Sequence, residues 1–417
     1  MKLSKWGQKI TADSGILKLM DDLGKAMSGG SVTAMFGGGN PAHIPAVQTA
    51  LKTELKTIAN SDQLSTEALN NYDTPQGNTK FIKTLVKFLN EQLDWPVTAA
   101  NIAVTPGSQT GFFILFNLLA GQMASGRRHI LLPLAPEYIG YLDQGLSNDM
   151  FKAAKPEIEL IGQHEFKYHV DINSLKIDDS VGAVCLSRPT NPTGNVITHG
   201  ELTSVRKLAG KKGVPLIIDC AYGLPFPGIV EDLTGLDWAQ DLVVSLSLSK
   251  VGLPGVRTGI FIAREDIAAA ITKTTAIVSL ANPNIGQLLV EPMLKSGELL
   301  RLSRDIIKPY YADKVAYARR AFSKAFDPDL PYRIHKHEGS YFFWLWLDKL
   351  PITTKELYQR LKKHGVIVVP GEYFFPASMH GWPHARQCLR LNIARPKAEI
   401  DTGFAIMAKE IAKIYAR

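Results

Sequence analysis

GAVCLSRPTNPTGNVITHGELTSVRKLAGKKGVPLIIDC, residues 182–220, is the stretch on which the fold turns. It opens with a continuous apolar run, Gly182 to Ser187, and closes with another, Pro215 to Cys220, broken only by Asp219. Runs of this length without polar alternation belong to strands buried on both faces. Between them Asn191-Pro192-Thr193-Gly194 is turn chemistry, and Thr198 stands as the N-cap of a helix running to Lys212. Strand, helix and strand in that order make a crossover unit of a parallel sheet.

Outward from this unit, similar runs recur as NIAVT (101–105), HILLPL (129–134), DLVVSLS (241–247) and GIFIA (259–263), and a helical pattern fills Gln109 to Ala120. The expected fold class is α/β, a mostly parallel mixed sheet flanked by helices. Toward the C-terminus the pattern changes. Leu299 to Phe326 reads as one long amphipathic helix, Tyr341 to Leu347 as a strand, Thr353 to His364 as a helix and Gly365 to Val369 as a strand, together a smaller α+β domain. Met35 to Pro45, rich in Gly and Pro, reads as a loop. The expected division is a large domain over 46–305 and a small domain built from 1–45 and 306–417.

Composition bounds the function. The 417 residues are 45% hydrophobic and 21% charged, enough apolar content for a sizeable core and unlike disordered or collagen-like chains. The net charge is +8, but basic residues are scattered; Arg127-Arg128, Lys211-Lys212 and Lys362-Lys363 are isolated pairs. Without a basic stripe, nucleic-acid binding is not expected, whereas acidic ligands such as phosphates suit the charge. Three cysteines with no C-x-x-C pair suggest neither a metal nor a redox couple, and fit a reducing compartment. The lysine-bearing N-terminus lacks the apolar core of a secretion signal. The apolar stretch from Gly111 to Ala120, with Asn117 inside it, is shorter than the roughly 20 residues of a membrane span. The expectation is a soluble cytoplasmic protein with no membrane partner.

Ligands of open α/β sheets gather at the carboxyl ends of the strands, so the residues after each run are informative. Gly107-Ser108-Gln109 either caps a helix or offers its free N–H groups to an anion. The Asn191 turn is either a plain turn or a site loop. Asp219 needs a partner wherever it lies, because a carboxylate leaving an apolar run is costly alone. Lys250, after Ser247-Leu248-Ser249 and before Pro254-Gly255-Val256-Arg257, either snorkels to water or has its amine pKa lowered by desolvation, as attack on an aldehyde requires. Taken together, a helix N-terminus, serines and arginine for phosphate, a carboxylate for a protonated ring nitrogen and a lysine for an aldehyde describe pyridoxal phosphate.

Asn191-Pro-Thr-Gly, Asp219-x-x-Tyr222, Ser247-x-Ser-Lys250 and Pro254-Gly255-x-Arg257 resemble the motifs of the fold-type I pyridoxal-phosphate aminotransferases. GGGNPAHIP, NYDTPQG, PLAPEYIGY and WLWLDKLPITTKELYQRLKKHGVIVVPG extend the resemblance along nearly the whole chain. It implies pyridoxal 5'-phosphate as cofactor, held covalently by Lys250, which would also move the proton at substrate Cα. Asp219 would keep the ring nitrogen protonated, Tyr222 and Asn191 would bond the phenolic oxygen, and Tyr138 would stack on the ring. Ser108, Gln109, Ser247, Ser249 and Arg257 would hold the phosphate. Tyr72, in Tyr-x-x-x-x-Gly, would reach the phosphate of a neighbouring subunit, which implies a homodimer with shared active sites.

For the substrate, the resemblance implies that Arg390 grips the carboxylate and that Gly39 lets the backbone approach it. No second arginine matches a side-chain carboxylate clamp, which disfavours an acidic donor and suits an apolar one such as valine. Ile16 and Phe374 are candidates for the side-chain pocket. The implied reaction is a reversible ping-pong exchange in which L-valine and pyruvate give 3-methyl-2-oxobutanoate and L-alanine. Another aminotransferase specificity, a carbon–sulfur lyase and a non-catalytic ligand sensor remain compatible with the same residues. No metal is implied.

Overall fold

A computed structural model describes residues 1–12, 15, 17, 20, 21, 24, 32–147, 149–231 and 235–416. Its main sheet comprises β1 (Ile102–Pro106), β2 (Gly121–Met123), β3 (Gly126–Leu132), β4 (Phe151–Ala153), β5 (Val181–Ser187), β6 (Leu216–Asp219), β7 (Leu242–Ser247) and β8 (Thr258–Ile262). The order across the sheet is β1-β8-β7-β6-β5-β3-β2, with β4 also beside β3. The pairs β7–β6, β6–β5, β5–β3 and β3–β4 are parallel; β8 runs antiparallel to both its neighbours, and β2 is antiparallel to β3. The mostly parallel mixed sheet expected from the sequence is thus present.

The reason for the unbroken apolar runs is visible in the packing. Cys185, Ile217 and Val243 face one core, with Phe112, Phe116 and Ile271 from the helices Ser108–Leu119 and Glu265–Ser279. Val184, Leu216, Ile218 and Val244 face the other core, on the opposite side of the sheet. Alternate side chains of a strand point to opposite faces, so a strand covered on both must be apolar at every position. The helix after β5 is His199–Lys211, closed by a capping box in which Thr198 and Glu201 bond each other's amides.

A second, six-stranded sheet has the order Val369–Pro370, Cys388–Asn392, Phe342–Leu347, Tyr332–His335, Glu165–Val170 and Pro156–Ile161. The last two strands form a hairpin from the middle of the chain, which pairs in parallel with Tyr332–His335. Two expectations change in detail. The helix expected over Leu299 to Phe326 is Glu298–Leu302, a wider π turn Ser303–Ile307, and Lys308–Ala325. Pro309 has no amide to give to the carbonyl four residues back, and the ladder widens ahead of it. The strand expected over Gly365 to Val369 is split: Val366–Ile367 pairs with Ala34–Met35, while Val369–Pro370 joins the six-stranded sheet. Among the described residues no helix is long and apolar enough to cross a membrane, and no cluster of three metal-ligating side chains occurs.

Candidate active site

The carboxyl ends of β5, β6 and β7 open onto a cavity of about 440 Å³. At one end lies the turn from β1 into the helix Ser108–Leu119. Gly107 sits there at φ +85°, and a Cβ on it would come within 2.1 Å of the Arg257 guanidinium. Only glycine satisfies both the conformation and the close approach. Ser108 Oγ donates to the Leu246 carbonyl at 3.2 Å, and Ser247 Oγ accepts from the Ser249 amide at 3.2 Å. With the positive end of a twelve-residue helix, Ser108, Ser247, Ser249 and Arg257, this end could hold a phosphate-sized anion. Arg257→Ala is expected to weaken retention of the phosphate-bearing cofactor that the sequence motifs imply about 10- to 100-fold, the worth of a charge-assisted hydrogen bond. Equal cofactor affinity in a fluorescence titration would remove Arg257 from this role.

In the middle, β6 ends on Asp219, which is buried. Its Oδ2 accepts from the Tyr141 hydroxyl at 2.6 Å and its Oδ1 from the Ala221 amide at 3.0 Å. Burial pushes its pKa up, and these bonds and the Lys250 ammonium oppose the push. The combination suits a carboxylate waiting for a cationic N–H. Lys250 follows β7 in a short 3₁₀ turn, Leu248–Val251. Its Nζ donates to the Gly39 carbonyl at 2.9 Å and stands 5.3 Å from the centre of the Tyr222 ring. Desolvation, reinforced by the Arg390 and Arg257 charges against the pull of Asp219, lowers its pKa to about 8. Tyr222 is buried and its phenol pKa is raised by that burial. Tyr341 Oη also donates to the Gly39 carbonyl, at 2.9 Å.

At the far end Arg390 projects from the strand Cys388–Asn392 and is 2% exposed. Nη1 donates to Asn191 Oδ1 at 3.1 Å and Nη2 to the Gly37 carbonyl at 2.6 Å. The guanidinium lies 4.5 Å from the Phe342 ring centre and 5.4 Å from that of Phe374. Burial lowers its pKa to about 10, which leaves it charged at neutral pH. Its Nε is buried without a hydrogen-bond partner among the described residues. A buried unpaired donor on a cation is a place for an anionic acceptor. The turn that carries Asn191 requires Gly194, at φ +72° with a Cβ position only 2.7 Å from the Gly339 carbonyl.

Twelve of the residues singled out from the sequence therefore line one cavity: Gly39, Ser108, Gln109, Tyr138, Asn191, Asp219, Tyr222, Ser247, Ser249, Lys250, Arg257 and Arg390. Gly39 presents its carbonyl to Lys250 and Tyr341, and a Cβ on it would meet nothing within 4 Å, so close packing is not what requires glycine there. Tyr72 is 83% exposed and does not line the cavity of its own chain. Phe374 is buried behind Arg390, between it and Trp344, rather than at the cavity wall. Ile16 lies outside the described residues. Sequence reasoning missed Tyr141, Ser187, Glu137 and Tyr341, and also Met20 and Gly24, which line the cavity from the N-terminal segment. Ser187 had one signal: it ends its strand and is the register partner of Asp219.

The family model described as aminotransferase class I and II matches residues 37–405. The chain is 48% identical to the valine–pyruvate aminotransferase of Escherichia coli (strain K12), over 100% of this chain and 99% of that protein. It is 44% identical to the valine–pyruvate aminotransferase of Salmonella typhimurium LT2, whose crystal structure matches with a TM-score of 0.88 over 96% of this chain and all of that one. A solved chain of Psychrobacter arcticum 273-4 matches with a TM-score of 0.96 at 40% identity, both chains covered in full.

Proposed function

The chain belongs to the class I and II aminotransferases, and from that premise we propose that it exchanges an amino group between L-valine and pyruvate, with 3-methyl-2-oxobutanoate and L-alanine as products and pyridoxal 5'-phosphate as cofactor. The observation that carries this reading is the cavity itself, with an amine of lowered pKa between two cationic ends and one buried carboxylate. The donor set fits the cofactor. Arg257 and the Ser108 helix N-terminus match its phosphate, Asp219 matches its ring nitrogen, and the Tyr138 ring offers a face beside the cavity. What the cofactor supplies when bound is an aldehyde carbon for amines and a ring that takes up electrons from Cα.

The chain's own residues do the rest. Arg390 fixes the substrate carboxylate through a planar fork, which orients Cα toward Lys250. Lys250, a neutral amine above its lowered pKa, would take up the proton at Cα and hold it beside the bound cofactor. Asp219 holds the positive charge at the ring nitrogen. Asn191 links the two ends, since its Oδ1 bonds Arg390 while its side chain lines the cofactor region. The cavity lining also includes the apolar side chains of Met20, Phe112 and Ile139. Steady-state rates with valine and pyruvate varied together are expected to give parallel double-reciprocal lines, the mark of a ping-pong cycle. Intersecting lines, or pyruvate and ammonia released from cysteine conjugates instead, would point to another chemistry.

A homodimer with shared sites is part of the reading. Leu69, Tyr72 and Ile277 are 76%, 83% and 86% exposed, on segments tied together by bonds from Asn282 to Pro75 and from Asn284 to Glu67. So much exposed apolar surface in one region suits an interface. A holoenzyme sedimenting at twice the chain mass is the expected result, and a monomer with full activity would contradict it. Three buried free thiols suit a cytoplasmic setting.

A further inference from the structure

Behind Asp219 lies a second buried carboxyl group that touches neither end of the cavity. Glu137 is 2% exposed; its Oε1 accepts from the Ser187 amide at 2.8 Å, and its Oε2 is 2.5 Å from Ser187 Oγ. Ser187 Oγ is 3.3 Å from Tyr141 Oη, which is 2.6 Å from Asp219 Oδ2. Four side chains thus stand in a line, Glu137, Ser187, Tyr141 and Asp219, joined by three oxygen–oxygen contacts.

Counting protons separates the two charge states of this line. With Glu137 ionised there are two hydroxyl protons for three contacts. Ser187 then donates to Glu137 and Tyr141 to Asp219, and the middle contact has none. With Glu137 neutral, its carboxyl O–H donates to Ser187, Ser187 to Tyr141 and Tyr141 to Asp219, so every contact is made and every donor points toward Asp219. Electrostatics chooses the same state. Two carboxylates in one buried cluster do not both ionise readily, and Asp219 has the Lys250 ammonium nearby. Among the described residues, the titratable groups whose charges are coupled to Glu137 are Asp219, Tyr141 and Cys185, none of them a cation. Burial pushes the Glu137 carboxyl up to about 8, with the Asp219 charge adding to the push and bonds from Ser187 and Tyr138 opposing it.

We propose that Glu137, as the protonated end of this relay, is a positioning residue that holds Asp219 charged and aimed at the ring nitrogen of the cofactor. The proposal rests on the assignment of Asp219 to that nitrogen.

The test uses holoenzyme carrying ¹⁵N at the ring nitrogen, as wild type, Glu137→Gln and Glu137→Leu. Glutamine keeps a donor toward Ser187 Oγ and an acceptor for its amide, gives up the acceptor for the Tyr138 amide at 3.3 Å, and cannot ionise; leucine keeps none of these. At pH 7 wild type and E137Q are expected to show the shift of a protonated ring, and E137L a shift moved toward the unprotonated one, with kcat down by about tenfold, the effect of one pKa unit. As pH rises through the Glu137 titration, the kcat of wild type is expected to fall relative to that of E137Q with the ratio of their KM values unchanged, because the Lys250 titration is common to both. A wild-type ring shift in E137L, or a fall of E137Q together with E137L, would overturn the proposal. Should E137L not fold, identical alkaline profiles for wild type and E137Q would overturn it equally. An unprotonated ring in wild type would remove the Asp219 assignment itself, whereas a protonated ring indifferent to E137L removes only the part given to Glu137.

Discussion

Lys250→Ala is expected to lower kcat by about 10⁴-fold or more, the upper range for loss of a positioned general base. The loss is larger than that of any other single side chain in the cavity because two tasks fall on one amine. In the proposed reaction it would hold the cofactor's aldehyde carbon and, once released, move the proton at Cα. Its surroundings suit both tasks. Nζ is held by the Gly39 carbonyl at 2.9 Å, pointing into the cavity, and desolvation lowers its pKa to about 8. A pKa near working pH leaves a useful fraction of neutral amine, whereas an ordinary lysine is almost wholly ammonium. The sign follows: covalent capture of the cofactor by the cofactor-free protein should speed up as pH rises through about 8 and level off above it. Borohydride reduction is expected to fix the cofactor permanently in wild type and to leave it removable by dialysis in K250A. Covalent fixation in the variant would show that another amine holds it.

The second large effect is expected at Arg390. Removing one partner of a buried, charge-assisted contact costs about 2–5 kcal/mol, so Arg390→Ala should lower kcat/KM on the order of 10²- to 10³-fold. Both half-reactions should suffer together, because the amino acid and the oxo acid each carry the carboxylate that Arg390 is proposed to bind. Arg390→Lys should recover only part of the loss. A single ammonium cannot serve the Asn191 oxygen, the Gly37 carbonyl and two substrate oxygens at once. Cofactor content should stay at the wild-type level in both variants, because Arg257 and the Ser108 helix lie at the other end of the cavity. A defect confined to valine, with pyruvate unaffected, would place the arginine at the donor's side chain instead of its carboxylate.

Several parts of this site that were legible in the sequence lie where an apolar strand stops, whereas Arg390, inside its own strand, and Gly39, in a loop, were reached only through the family resemblance. Asp219 and Lys250 are conspicuous because a charge after a buried run needs an environment built for it, and Gly107-Ser108 because a strand meets a helix there. Thr198 was legible as a cap where turn chemistry gives way to a helical pattern, and its reciprocal bonds with Glu201 came only with the structure. What stayed hidden depends on contacts between distant segments. Tyr141 and Glu137 flank the cavity residue Tyr138, yet nothing in their spacing tells that they meet Ser187 and Asp219 across the sheet. The hairpin over 156–170 alternates as many strands do, and its place in the second sheet follows from pairing with a strand more than 160 residues later. Tyr72, exposed and outside the cavity of its own chain, has a role only in the proposed homodimer.

The most direct measurement mixes holoenzyme with L-valine alone and follows the cofactor's visible absorbance while 3-methyl-2-oxobutanoate is assayed. The expected result is one equivalent of the oxo acid per site, a shift of absorbance to the amine form of the cofactor, and full reversal on adding pyruvate, with alanine appearing. An absorbance unchanged by saturating valine, with no oxo acid formed, would contradict the valine–pyruvate exchange.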